Sequence, residues 1–64
     1  MNDNQLHRAA LALSDGAHGH FAAHIGDAYL SADPANRERL TAAFGDLFAR
    51  AHQFTNRLEI ISHE

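Results

Sequence analysis

Apolar residues recur through the second half of the chain at Leu40, Phe44, Leu47, Ala51, Phe54, Leu58 and Ile61, in steps that alternate between four and three. This spacing keeps one side of a helix apolar and does not fit the alternation of a strand. Phe48 widens the stripe, as in a helix docked into a bundle, and the flanking Ala43, Arg50, Thr55, Arg57 and Ser62 lack the charge pattern that specifies a zipper partner. Upstream, Phe21, Ile25, Ala28 and Ala32, widened by Ala22 and Tyr29, predict a helix from about 15 to 32 with Ser14 or Asp15 as its cap. Leu6, Ala10, Leu13 and Ala17 hold the same phase, so the first dozen residues predict another helix, bent from the next at SDGAHG, where two glycines soften the junction. All four phenylalanines fall in these stripes and read as core.

The single proline divides the two halves. In SADPANRERL, Asp33 can accept hydrogen bonds from free first-turn amides, and Pro34 at the first helical position loses no bond. The residue before a proline is pushed out of helical geometry, which ends the preceding helix near Ala32. A continuous helix from 34 to 62 would span about 43 Å. A compact chain of this length has a radius of gyration of only about 11 Å. Either the helix breaks or a homodimer shares it. Gly45-Asp46 and Thr55-Asn56 are the candidate breaks, and capping chemistry favours Thr55. The expected fold is an all-α bundle of three or four helices, a single domain over residues 1–64, built on a helical hairpin turning at Asp33-Pro34.

At 64 residues the core is near the lower limit for independent stability, and with no cysteine neither a disulfide nor a thiolate zinc site can reinforce it. The sequence has no apolar run long enough to cross a membrane and no signal-peptide layout at MNDNQLHR, so a soluble cytoplasmic protein, with no membrane partner, is expected. All five basic residues are arginines. Residues 1 to 36 set Asp3, Asp15, Asp27 and Asp33 against Arg8 alone, while residues 37 to 64 are balanced, so the acidic surface belongs to the first half. Without clustered cations, direct nucleic-acid binding is disfavoured. Ser14 and Ser31 each lie near an Asp and a His, but no nucleophile elbow surrounds either, and no enzyme is expected.

HGHFAAH, residues 18 to 24, holds three of the six histidines. Projected as a helix with Phe21 at zero, His20, His24, Asp27 and Ser31 fall between about 240° and 300°, beside the expected apolar face. His20 and His24 have the i, i+4 spacing that lets two imidazoles meet one ion, yet Asp27 lies about 10.5 Å along the axis from His20, too far to join the pair. HFAAH also lacks the glutamate of H-E-x-x-H. An ion could take His20 with His24, or His24 with Asp27, and a third ligand would have to come from His7, His18, His52 or a second chain; the stretch reads first as the polar side of a helix, with no cofactor expected. Protonation of the histidines moves the formal charge from −3 toward +3, so an interaction made by the acidic face is expected to weaken below roughly pH 6. Leu30 falls at about 180°, opposite the expected apolar face, as a candidate exposed anchor. Arg37, Glu38 and Arg39 read as a solvated first turn.

Residues 25 to 52, IGDAYLSADPANRERLTAAFGDLFARAH, carry an A-Y-L-x-A-D hinge, an N-R-x-x-L first turn and an A-F-x-D-L-F segment. In these features the chain resembles small helical proteins encoded by bacteriophages and prophages of proteobacteria, and its size and charge resemble type I anti-CRISPR proteins, including those directed against I-C systems. The resemblance implies a non-enzymatic inhibitor that binds a host Cas protein or a Cascade-type surveillance complex and blocks DNA engagement. An acidic first half can be steered toward the basic groove of such a target, with Asp15, Asp27 and Asp33 supplying attraction and Tyr29 and Leu30 apolar contact. The alternative is a self-assembling helical module with a histidine-rich, metal-binding face.

Overall fold

The computed structural model describes the backbone of residues 1–62 and the side chains of residues 1–54. Four helices and no strand occur among the described residues: α1 (Asp3–Ser14), α2 (His20–Ser31), α3 (Pro34–Ala43) and α4 (Gly45–Ser62). The radius of gyration is 11.4 Å. The all-helical bundle is therefore as the apolar spacing requires, and α1 is its centre: α2 and α4 both pack extensively against α1, whereas α3 touches its neighbours lightly.

Each helix start has a local cause. Asn2 caps α1 by accepting from the Gln5 amide at 2.8 Å, and the Gln5 side chain accepts the Asn2 amide in return at 2.9 Å. This reciprocal pair satisfies two amides that a helix start leaves open. Asp33 caps α3 by accepting from the Asn36 amide at 2.8 Å, with Pro34 at the first position, as its sequence predicts. The expected start of α2 at Ser14 or Asp15 is not found. Asp15 instead closes α1, its carboxylate accepting from the Ala17 amide at 2.8 Å. Gly16 (φ 93°) and Gly19 (φ 100°) then turn the chain through the left-handed region, and α2 begins only at His20. The two glycines thus build a loop where the sequence predicted a bend, because side chains rarely adopt these angles.

The long second-half helix breaks at Phe44, not at Thr55. Phe44 leaves helical geometry (φ −123°, ψ 31°) and α4 then runs unbroken to Ser62. Gly45 weakens the helix at this point, and Asp46 in the following first turn suits the positive end of the new helix. The bend lets Phe48 and Ala51 turn inward, where they are 1% and 0% exposed. Leu40, Phe44 and Leu47 pack at the edge of the core. Leu58 and Ile61 of the predicted stripe lie outside the residues whose side chains are described.

The core joins Ala9, Ala10 and Leu13 of α1 to Ala22 and Tyr29 of α2 and Phe48 and Ala51 of α4. The face of α2 that turns inward is centred on Ala22, Gly26 and Tyr29, about one residue away from the predicted stripe, a rotation of roughly 100°. Gly26 dictates the difference. A methyl group there would lie 2.6 Å from the Ala10 carbonyl oxygen and 2.9 Å from Leu13 Cβ, so the α1 and α2 backbones meet at this glycine. Pattern reading weighted Phe21, yet Phe21 is 62% exposed, and Ala28 also faces out. Phe54, likewise expected in the core, is 45% exposed.

Candidate binding surface

Rotation of α2 decides which of its side chains reach solvent. His20, Phe21, His24, Asp27, Ala28 and Ser31 are all exposed and share its outer side. The histidines therefore stand opposite the core, not at its boundary. The Phe21 ring stands edge-on against Phe44, with centroids 5.6 Å apart, which holds it in place without burying it. The Ser31 hydroxyl turns back to donate to the Asp27 carbonyl oxygen at 3.0 Å. Beyond Ala28 and Ser31 the surface continues into a shallow groove of about 430 Å³, whose other walls include Asn36, Arg39 and Leu40 of α3.

Five residues were expected to meet a partner, and the structure divides them. Asp27 is exposed in the middle of the outer side of α2. Asp15, which closes α1, and Asp33, which caps α3, are exposed in the segments that flank α2 in the chain, and each also holds a backbone amide. Tyr29 departs from expectation: it is 3% exposed, with its ring 5.2 Å from that of Phe48, and serves the core. Leu30 is only partly exposed and packs against the core, because the true inward direction lies about 75° from it and not 180°.

A second cleft of about 390 Å³ opens on the other side, between the start of α1, the end of α2 and the first turns of α3. Asp3, Leu6, Pro34 and Glu38 are among its walls, with Tyr29 and Arg37 between them. Arg37 is not simply solvated. Its Nε donates to the Tyr29 carbonyl oxygen at 3.2 Å and its guanidinium lies 5.1 Å from the centre of the Tyr29 ring. It therefore ties α3 to the end of α2, adding a second donor to a carbonyl oxygen that already accepts the Ala32 amide at 3.2 Å. The useful signal was position: Arg37 follows the proline corner by one turn and so faces back toward the helix just ended.

In the α1–α2 loop, His18 packs its ring edge-on against Phe54 at 5.5 Å, and its Nε2 is buried without a hydrogen-bond partner among the described residues. Among the described residues no three His, Asp or Glu side chains converge on a common point for a metal ion. No helix among them is long and apolar enough to cross a membrane. In comparison with known proteins, no family model, no curated protein and no solved structure matches the chain.

Proposed function

We propose that this chain is a non-enzymatic, protein-binding inhibitor that works through the outer side of α2. The observation that carries the reading is Phe21: a large aromatic ring, 62% exposed, on a helix side that also presents Asp27 and leads into a groove. An apolar anchor ringed by polar groups is the arrangement of a protein contact, the ring supplying most of the affinity. The exposed carboxylates of Asp27 on α2 and of Asp15 and Asp33 in the segments flanking it supply negative charge, with no basic residue on α2 to offset it. Such charge steers the domain toward a basic groove, as found in proteins that hold nucleic acid. The resemblance of residues 25 to 52 to small phage-encoded proteins, together with a size and charge that resemble type I anti-CRISPR proteins, supports as target a Cas protein or a Cascade-type complex of the host cell, whose hold on DNA the bound chain would obstruct sterically.

The test is direct. Purified type I-C surveillance complex is mixed with the chain and its binding to fluorescent target DNA is followed by anisotropy. The reading expects DNA binding to fall as the chain saturates the complex. The double variant Phe21→Ser/Asp27→Lys, altered at two exposed positions, should keep its helical circular dichroism and weaken inhibition at least about tenfold. Undiminished DNA binding at saturating chain, or equal inhibition by the double variant, refutes it.

A further inference from the structure

We infer that His20 and His24 are half of a zinc site, and that a second copy of this chain supplies the other half. Both imidazoles lie on the outer side of α2, both are exposed, and neither makes a hydrogen bond or ring contact with another described residue. Residues four apart on a helix have Cβ atoms about 5 to 6 Å apart. Two nitrogens bound to one zinc at about 2.0 to 2.1 Å in tetrahedral geometry are about 3.3 Å apart, a separation two converging imidazoles reach from that spacing. The same spacing serves the two histidines of helical H-E-x-x-H sites.

One chain leaves such an ion half ligated. Asp27 is seven residues from His20, about 10.5 Å along the axis, and no third donor converges among the described residues. Zinc prefers four protein ligands in a closed site, so the economical completion is the same pair from another copy, related by a two-fold axis through the ion. Three features of α2 favour this arrangement. It carries no lysine or arginine to repel a divalent cation. Its Asp27, one turn beyond His24, is present twice in the dimer and offsets the charge that four neutral imidazoles leave uncompensated. The Phe21 ring, next to His20 and 62% exposed, gives each copy an apolar surface beside the ion. A single pair of facing helices buries little area, so association depends on the metal.

This inference is independent of the inhibitor reading, although both use one side of α2 and the two occupants exclude each other. Light scattering coupled to size exclusion, with zinc chloride at half the chain concentration, should move the mass from 7.0 kDa to about 14 kDa and return it on adding chelator. Titration calorimetry should give one zinc per two chains, and cobalt(II) in place of zinc should produce the visible absorption of a tetrahedral site. His20→Ala and His24→Ala should each abolish the dimer with helical circular dichroism unchanged, and His7→Ala, on the exposed side of α1, should leave it intact. A monomer mass at saturating zinc, one zinc per chain, or equal loss in His7→Ala overturns the inference.

Discussion

Replacing Gly26 with alanine tests the packing of this domain most sharply, because general helix propensity and local geometry predict opposite signs. Alanine is favoured over glycine inside a helix by about 1 kcal/mol. At this site the new methyl would lie 2.6 Å from the Ala10 carbonyl oxygen, 2.8 Å from the Ser14 nitrogen and 2.9 Å from Leu13 Cβ. Two of these atoms are backbone and the third is the root of a side chain, so none can swing aside. Carbon atoms settle at about 3.5 to 4.0 Å, and α2 must therefore move away from α1 by roughly 0.6 to 1 Å. A gap of that width forfeits about a quarter to a half of the dispersion along the seam. Overpacking of this kind costs about 1 to 3 kcal/mol, and three simultaneous clashes place it at the upper end, for a net loss of about 2 kcal/mol. In a domain of this size the melting temperature should fall by about 8 to 16 °C. Circular dichroism at 222 nm measures it, with Gly45→Ala as control, since a methyl there meets nothing within 4 Å. Should Gly26→Ala melt at or above the parent temperature, the close approach of α1 and α2 is wrong.

Other substitutions separate core from surface in the same assay. Phe48→Ala should cost about 3 to 5 kcal/mol and leave much of the chain unfolded at 37 °C, whereas Phe21→Ser should cost under about 1 kcal/mol; similar losses at both would contradict the inward face assigned to α2 and α4. Asp33→Ala removes the cap of α3 and should lower stability by about 1 kcal/mol, with Asp33→Asn restoring most of it; a neutral alanine variant would mean the cap contributes nothing. Gly19→Ala places a side chain at a φ of 100° and should cost about 1 to 2 kcal/mol despite open space around it, a loss that urea denaturation would detect.

Much of this architecture was legible because it rests on local chemistry. The proline corner needs only Asp33 and Pro34, and Leu40, Phe44, Leu47, Phe48 and Ala51 all reach the core or its edge. The Asn2–Gln5 capping pair is equally local, although the apolar pattern alone did not point to it. The orientation of α2 was not legible in the same way. Hydrophobic weight favoured Phe21, but the inward direction is chosen by the residue that lets two backbones touch, and glycine has no weight on such a scale. That error carried Leu30 to the wrong side, whereas Tyr29, counted in the widened stripe and also offered as a partner contact, keeps only its place in the core, and Asp27, His20 and His24 stayed outside under either orientation. Of the two candidate breaks, the one beside Gly45-Asp46 is used and Thr55 is not: capping preference pointed to Thr55, and the advantage of turning Phe48 and Ala51 inward arises only once α1 is in place.

The central position of α1 sets an order of assembly. Its seam with α2 closes across the short turn from Asp15 to Gly19, so these two segments meet early and cheaply. Its seam with α4 must wait until residues 15 to 44 have been drawn into a closed loop, and only then are Phe48 and Ala51 covered. Closing the α1–α4 seam therefore carries the larger loop-closure cost of the two.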